Sequence, residues 1–228
     1  MKLHRFYVSD NVELTSNFWL HNNEILNQWN KVLRFRPGQK VILFDGIGED
    51  RLYEIKELST TEAHLAMTTE LKRQIPAKEI YLLWSLLKKD KNDWVLQKCT
   101  ELGVSHFVPI LADRSEKTGF NIERAQKIII EASEQCGRSD IPNVREPINI
   151  KTAITEFYKK IPLFVCEQAS ESIDTSLGRV AVLVGPEGGW SDNERKIFES
   201  NSIEHINLHD FTLRAETACV AVATKLLQ

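Results

Sequence analysis

The sequence predicts a small β-barrel followed by an α/β domain with a parallel sheet. Up to about residue 72, short segments rich in β-branched and aromatic residues follow one another, with turn signals between them. Beyond residue 78, apolar strand-like segments alternate with helical ones, which is typical of βαβ architecture. The segment 74–78 has the composition of a linker, so we place the two domains at residues 1–72 and 73–228.

The first domain has four predicted strands and one predicted helix. Ile25, Leu26 and Trp29 recur at helical spacing, and the pair Pro37-Gly38 marks where this helix stops. A meander of short strands closes most simply into a small barrel. The predicted strands are residues 5–8, 39–45, 51–58 and 63–71, and the predicted helix is residues 22–35.

The second domain begins with a near-continuous apolar strand at residues 80–87, as expected for a strand that is covered on both faces. Gly103 and Gly137 each follow a helical pattern and predict its end. The other predicted strands are residues 106–111, 163–166, 180–184 and 205–208, and the predicted helices are residues 90–102, 121–137, 191–200 and 216–227.

Composition narrows the class of protein. The 228 residues carry 29 basic and 32 acidic side chains and are 42% hydrophobic, which is ordinary for a globular protein. No apolar run approaches the length of a membrane span. The first ten residues lack the apolar segment of a secretory signal, and the four cysteines form no C-x-x-C pair, so we expect a cytoplasmic protein with reduced thiols.

A glycine-rich turn follows the apolar strand at residues 180–184. It reads Gly185-Pro186-Glu187-Gly188-Gly189-Trp190, and Ser191 with Glu194 then forms a capping box that opens a helix. Glycines at the carboxyl end of a parallel strand let the backbone approach a ligand closely. The spacing matches neither a dinucleotide fingerprint nor a phosphate-binding P-loop. A tight strand-to-helix turn without a ligand remains an alternative for this segment taken alone.

A second polar loop precedes the last helix. Arg214 and Glu216 flank the start of that helix, whose first turns consist almost entirely of small residues. Small side chains allow another backbone to pack closely against the helix. An ion pair or a favourable charge at the helix N-terminus explains Glu216 without a function, whereas Arg214 is harder to explain in that way.

Taken together, the two loops resemble those of the bacterial 16S ribosomal RNA uridine-N3 methyltransferases, which are S-adenosylmethionine enzymes of the SPOUT superfamily. Their shared pattern is G-P-E-G-G-[FW]-S-x-x-E followed by L-R-x-E-T-A. The resemblance extends over essentially the whole chain. Its further landmarks are the segments at residues 4–8, 32–34, 97–104 and 134–139.

The resemblance implies a PUA-like barrel that binds RNA, a trefoil-knotted methyltransferase domain, a homodimer, and 16S rRNA within the small ribosomal subunit as the partner. It also implies that three loops hold S-adenosylmethionine. The matching positions are Cys166, Glu167, Val184, Gly185, Pro186, Glu187, Gly188, Gly189, Leu208, Leu213 and Arg214. We expect RNA contacts from Arg138 and Ser139, which belong to a matched motif, and from basic residues near strand ends and in the barrel: Lys88, Lys89, Lys91, Arg34 and Arg36.

Methylation of uridine N3 requires that the N3 proton be lost or that the uracil anion be stabilised. We give Arg214 the second role and expect Glu216 to orient it, with Glu216 a candidate base only if it faces the pocket. His209, Phe211 and Ala215 depart from the residues that the family commonly has there, and His205 with His209 does not predict a metal, so we assign none. Two alternatives remain open: a ribose 2′-O RNA methyltransferase of the same superfamily, and a non-catalytic RNA-binding or assembly protein.

Overall fold

A computed structural model describes residues 3–9, 12–116, 119–167 and 174–227. The chain divides into two compact units, residues 1–75 with 133–140, and residues 76–132 with 141–228. The boundary thus lies after Ile75, close to the predicted position. The return of residues 133–140 to the first unit was not predicted, because residues 121–137 have the pattern of one uninterrupted helix.

The first unit is a five-stranded sheet with the order β1-β3-β4-β5-β2. The β1–β3 pair is parallel and the other pairs are antiparallel, with register shifts between β4 and β5. Strand β2 was not predicted, since it is only four residues long. The strands are β1 (His4–Tyr7), β2 (Asn17–Leu20), β3 (Lys40–Phe44), β4 (Asp50–Leu58) and β5 (Ala63–Leu71).

One helix packs against the sheet of the first unit. It starts as α1 (Asn23–Asn27), where the Asn22 side chain accepts hydrogen bonds from two backbone N–H groups, and continues as a π-helical segment, Gln28–Leu33. Arg34 ends the helix in the left-handed conformation, with φ of 54°. The helix buries Trp29 completely among the apolar side chains of the sheet.

The second unit is a parallel sheet with helices on both faces. The strand order is β12-β10-β11-β6-β7-β8, and β9 pairs with β7. The strands are β6 (Glu79–Ser85), β7 (His106–Leu111), β8 (Asn143–Val144), β9 (Ile148–Asn149), β10 (Leu163–Cys166), β11 (Arg179–Val184) and β12 (Glu204–Ile206). The helices are α2 (Lys89–Leu102), α3 (Ile122–Cys136), α4 (Ile150–Phe157), α5 (Asp192–Ser200) and α6 (Ala215–Leu227).

Alternating side chains of the central strands build a core on each face of this sheet. Val180, Val182 and Val184 of β11 pack in the cluster that contains residues of α2 and α6. Ala181 and Leu183 of the same strand pack in the cluster that contains residues of α4 and α5. Burial on both faces explains the unbroken apolar pattern of this strand.

The turn from β6 to α2 is held by one buried asparagine. The Asn92 side-chain oxygen accepts hydrogen bonds from Trp84 Nε1 at 3.0 Å and from the Leu87 backbone N–H at 3.1 Å. Its Nδ2 donates to the Leu87 carbonyl at 2.7 Å. These three bonds fix the first turn of α2 against the carboxyl end of the sheet.

Within the described ranges, no helix is long and apolar enough to cross a membrane.

Candidate active site

A cleft of about 490 Å³ lies within the second unit, at the carboxyl ends of β10, β11 and β12. Because all strands of this sheet are parallel, the loops that follow them meet at one edge, where open α/β sheets bind ligands. The volume is in the range of small-molecule and cofactor sites. The lining residues are Cys166, Glu167, Val184, Gly185, Pro186, Glu187, Gly189, Trp190, Arg195, Asn207, Leu208, His209, Phe211, Thr212, Leu213, Ala215 and Ala218.

The structure brings most of the predicted cofactor residues to this cleft. Of that set, only Gly188 and Arg214 do not line it. Sequence reasoning did not assign Arg195, Asn207, Thr212 or Ala218. Asn207 and Thr212 lie directly before the assigned residues Leu208 and Leu213, and Arg195 directly follows Glu194 of the capping box. The sequence pattern could therefore have indicated these segments, but not which of their side chains line the cleft.

Gly185 and Trp190 form the tightest part of the glycine-rich loop. A Cβ atom added to Gly185 would lie 3.0 Å from Cε2 and 3.1 Å from Nε1 of the Trp190 indole. Trp190 is buried, stacks edge-on against Phe198, and cannot easily move away. A side chain at residue 185 would therefore require the loop or the indole to shift by a few tenths of an ångström.

Arg114 holds the outer side of the same loop. Its Nη1 donates to the Gly188 carbonyl at 2.9 Å and, more weakly, to the Trp190 carbonyl at 3.4 Å. Gly189 adopts φ of 68°, which favours glycine. The capping box at Ser191 and Glu194 is present as predicted, and Glu194 Oε1 also accepts from the Asp113 N–H at 2.9 Å. The loop is thus fixed from both sides.

The β10 side of the cleft carries a cluster of three polar side chains, Glu167, Arg195 and His205. Glu167 Oε1 accepts hydrogen bonds from Arg195 Nε at 2.9 Å and from Nη2 at 2.6 Å. Glu167 Oε2 lies 3.1 Å from Nδ1 of His205. The predicted cofactor residue Glu167 therefore orients Arg195, which lines the cleft. Among the described residues, no group of three histidine, cysteine or acidic side chains could hold a metal.

Lys91 connects the glycine-rich loop with the start of α6. Its Nζ lies 2.8 Å from Glu187 Oε1 and 3.6 Å from Glu216 Oε2. The hydrogen bond that the Lys91 ammonium donates to Glu187 raises the pKa of Lys91. Burial raises the pKa of Glu187, but the hydrogen bond and charge of Lys91, together with the charge of Lys88, outweigh it and lower the pKa overall.

The two predicted catalytic residues have different environments. Arg214 is exposed, and within the described part of the chain no carboxylate lies within ion-pair distance of it. Its carbonyl accepts a hydrogen bond from the Ala218 N–H at 2.8 Å, which starts α6. Glu216 is 15% exposed, faces Lys91 and does not line the cleft. It therefore does not meet the condition set for a general base, and since its ion-pair partner among the described residues is Lys91, any effect of Glu216 on Arg214 would be indirect.

The residues predicted to bind RNA separate into three groups. Lys88, Lys89, Arg34 and Arg36 are exposed. Lys91 is engaged by the two carboxylates described above. The third group, Arg138 and Ser139, is buried.

Arg138 and Ser139 are buried within the first unit, so the expectation that they contact RNA needs correction. Arg138 is 6% exposed, and its guanidinium pairs with Asp140 at 2.7 Å. Ser139 is fully buried, and its hydroxyl donates to Asp50 Oδ2 at 2.8 Å. Both side chains are satisfied by contacts inside the protein, which gives this matched motif a structural role.

The cleft suits a nucleoside with an amino-acid tail, such as S-adenosylmethionine. It combines apolar walls from Val184, Leu208 and Leu213 with the charged Arg195 and with backbone groups of the glycine-rich loop. Nε1 of Trp190, which also lines it, is a buried donor without a partner among the described residues. Burial raises the pKa of the Cys166 thiol well above its ordinary value, which disfavours the thiolate that a nucleophile requires, so we expect Cys166 to be a wall of the cleft.

Two models of known protein families match this chain. The family model described as the RNA methyltransferase domain matches residues 73–227, and the RNA methyltransferase PUA domain matches residues 31–67. The chain therefore combines the methyltransferase domain with the PUA domain that accompanies it in RNA methyltransferases.

Individual relatives narrow the class further. The chain is 31% identical over 206 residues to the ribosomal RNA small subunit methyltransferase E of Aquifex aeolicus, which covers 86% of this chain and 90% of the relative. It is 26% identical to the protein of the same name from Rickettsia conorii, which covers 99% of this chain and 96% of the relative. The chain belongs to the ribosomal RNA small subunit methyltransferase E family.

A solved structure supports the same assignment. The Neisseria gonorrhoeae methyltransferase E, determined with S-adenosylmethionine bound, superposes with a TM-score of 0.89 and 28% identity, and covers 97% of this chain and 95% of its own. The predicted fold class, a PUA-like β domain before a parallel-sheet methyltransferase domain of the SPOUT type, is confirmed by this likeness.

Proposed function

We propose that the protein transfers the methyl group of S-adenosylmethionine to N3 of one uridine in the 16S rRNA of the small ribosomal subunit. The cleft is the observation that carries the proposal, because the loops around it bear the motifs of the family. The similar protein from Neisseria gonorrhoeae was determined with S-adenosylmethionine bound. The cofactor supplies an electrophilic methyl group. The protein must then hold the acceptor nitrogen in line with it, which is chiefly a positioning task.

The three loops would hold the cofactor mainly through backbone groups and apolar walls. Gly185 and Gly189 allow the chain to approach the ligand closely, and Leu208 and Leu213 cover its apolar part. Arg195, fixed by Glu167, is placed to meet a carboxylate on the tail of the cofactor.

Arg214 is the residue that stabilises the uracil anion of the acceptor. Uridine N3 carries a proton at neutral pH, and its loss leaves negative charge on the uracil oxygens. A guanidinium facing one of those oxygens stabilises this charge as it develops. The exposed Arg214, with no carboxylate partner in the described ranges, is free for that contact. Glu216 lies in the first turn of α6, which begins one residue after Arg214.

RNA would be bound by the exposed basic residues. Lys88 and Lys89 follow β6 at the carboxyl edge of the sheet, next to the glycine-rich loop that Lys91 contacts. Arg34 and Arg36 lie on the surface of the first unit. Contacts of these residues with phosphates would make binding depend strongly on salt.

The assembly proposed for the active protein is a cytoplasmic homodimer with a trefoil knot in the second unit. The path of the chain supports the knot: β12 is the edge strand, yet the following helix α6 packs back on α2, β6 and β11 in the middle of the sheet. Sedimentation equilibrium of the purified chain tests the dimer.

A methylation assay tests the proposed reaction. Purified protein and labelled S-adenosylmethionine are incubated with small subunits from a strain that lacks the endogenous methylation, and the RNA is digested to nucleosides for mass spectrometry. N3-methyluridine is the expected product. Free 16S rRNA serves as the second substrate, which shows whether the assembled subunit is required.

Other outcomes would favour the alternatives. A 2′-O-methylated nucleoside would keep the cofactor but overturn the chemistry assigned to Arg214. A protein that binds RNA but not S-adenosylmethionine would be a non-catalytic RNA-binding or assembly protein.

A further inference from the structure

Lys91 is the point where two segments of the cleft meet. Glu187 belongs to the glycine-rich loop after β11, and Glu216 belongs to the first turn of α6. The Lys91 ammonium lies within 4 Å of both carboxylates, at 2.8 Å and 3.6 Å. A single side chain from α2 thus connects the loop that would hold the cofactor with the segment that carries Arg214.

The base of this connection is rigid. Lys91 lies in the first turn of α2, and its backbone N–H donates to the Lys88 carbonyl at 2.9 Å. The next residue, Asn92, makes the three hydrogen bonds that fix this turn to the end of β6. The backbone that carries the Lys91 side chain is therefore fixed. The Lys91 ammonium attracts the Glu187 and Glu216 carboxylates toward this fixed point.

Glu216 depends on this lysine. Its side chain is 15% exposed, and its Oε2 is buried with no hydrogen-bond partner among the described residues. A carboxylate in that position is costly unless a cation is close. Without the Lys91 charge, Glu187 and Glu216 would face each other as two like charges, and the loop and the helix would tend to separate.

We propose that Lys91 is a positioning residue of the active site, which sets the separation between the glycine-rich loop and the Arg214–Glu216 start of α6. The inference rests on the proposed function, because it assumes that the cleft holds the methyl donor and that Arg214 faces the acceptor. It also replaces the expectation that Lys91 binds RNA, since its ammonium is engaged within the protein.

Substitution of Lys91 by methionine tests the role, because it keeps the length of the stem and removes the charge. Affinity for S-adenosylmethionine, measured by calorimetry on the full chain, should fall by about tenfold, the effect of losing one well-placed contact. The kcat for subunit methylation should fall as well, while the KM for subunits stays unchanged. Lys91→Arg, which keeps a cation of similar reach, should restore most of the affinity.

Lys151→Met is the matched control, because Lys151 is exposed on α4 and pairs with no carboxylate among the described residues. Its cofactor affinity should equal that of the wild type. The double variant Lys91→Met with Glu216→Gln is the second test: neutralising the carboxylate left unpaired should recover part of the cofactor affinity lost in Lys91→Met. Thermal denaturation of each variant separates this effect from loss of folding.

The outcomes distinguish this inference from the proposed function. If Lys91→Met raises the KM for subunits and leaves cofactor affinity unchanged, Lys91 is an RNA contact and the inference is overturned. It is also overturned if Lys91→Met and Lys151→Met behave alike, or if the double variant recovers nothing. A wild-type protein that neither binds S-adenosylmethionine nor forms N3-methyluridine would instead contradict the proposed function.

Discussion

Ser139 donates a hydrogen bond from its hydroxyl to Oδ2 of Asp50, 2.8 Å away and 89 residues earlier in the chain. Both residues are almost completely buried, and Arg5 Nη2 lies 2.8 Å from the same carboxylate oxygen. The Ser139 hydroxyl also accepts from the Gln74 N–H at 2.8 Å, and the Ser139 N–H donates to the Gln74 carbonyl at 2.7 Å. These bonds attach residues 133–140 to the β-sheet of the first unit.

Replacement of Ser139 by alanine should therefore destabilise the first unit. Loss of a buried hydrogen bond to a charged group costs about 1.5–3 kcal/mol of unfolding free energy, and the Gln74 N–H also loses its acceptor. Urea denaturation followed by circular dichroism measures the change. Ser16→Ala, at an exposed serine of the same unit, should be nearly neutral. Equal stability of the two variants would show that the Asp50–Ser139 bond contributes little.

The contrast between Gly137 and Ser139 shows which features a sequence can reveal. The end of α3 was predicted because a glycine after a helical pattern is a local signal, and Gly137 indeed adopts φ of 90°. The partnership of Ser139 with Asp50 was not predicted, since it joins residues far apart in the chain and no local pattern encodes it. Arg138 and Ser139 therefore looked like substrate contacts until their burial was known.

Substitution of Gly185 by alanine should weaken cofactor binding. The added Cβ would lie 3.0 Å from the buried Trp190 ring, which is tighter than nine in ten Cβ contacts in folded proteins. The loop must then shift away from the indole and alter the cleft, so we expect affinity for S-adenosylmethionine to fall by about tenfold or more. Calorimetry with the full chain measures it.

Two other glycines provide the controls. At Gly178 an added Cβ meets nothing within 4 Å, and at Gly188 it meets only the Arg114 side chain at ordinary contact distance, 3.5 Å. Both alanine variants should bind the cofactor nearly as the wild type does. If Gly188→Ala weakens binding as much as Gly185→Ala, the packing against Trp190 is not the reason for the glycine at residue 185.

Replacement of Arg214 by lysine should separate binding from turnover. Lysine keeps the charge but not the planar pair of donors that a guanidinium offers to a uracil oxygen. Loss of such a stabilising group typically lowers kcat by about 10²-fold or more. Cofactor affinity should remain nearly unchanged, because Arg214 does not line the cleft. Unchanged turnover of the variant in the subunit methylation assay would rule out this role.

Helix α4 illustrates a local signal that was missed. Ile150, Ala153, Ile154 and Phe157 are all buried at helical spacing, and the Asn149 side chain caps the first turn. The pattern is only eight residues long, so it gives a weaker signal than the longer helices do. The ion pairs of Lys91 were not predicted for a different reason. Their carboxylate partners come from a loop and a helix that are distant in the sequence, and only the fold brings them together.

The four cysteines should differ sharply in reactivity. Burial raises the pKa of the thiols of Cys99, Cys166 and Cys219, whereas Cys136 is exposed. A disulfide reagent such as dithionitrobenzoate reacts with the thiolate, so Cys136 should react quickly in the native protein, the half-buried Cys166 in the wall of the cleft more slowly, and Cys99 and Cys219 only after unfolding. The absorbance of the released thiol follows the reaction, and Cys136→Ser should abolish its fast phase. A fast phase that persists in Cys136→Ser would mean that a buried thiol becomes accessible.

The ion pair between Lys91 and Glu187 should contribute to stability within a defined pH window. The folded pKa of Glu187 lies below its ordinary value of 4.5, so its contribution is present above that pH and is lost as the pH falls through the folded pKa. The folded pKa of Lys91 lies above its ordinary value of 10.5, so its contribution is present below that pH and is lost as the pH rises through the folded pKa. Urea denaturation of wild type and Lys91→Met should give a difference in unfolding free energy that is constant between about pH 6 and pH 8 and shrinks below about pH 4.5. A difference that persists unchanged as the pH falls through the folded pKa of Glu187 would mean that packing of the lysine stem, and not its charge, accounts for the effect.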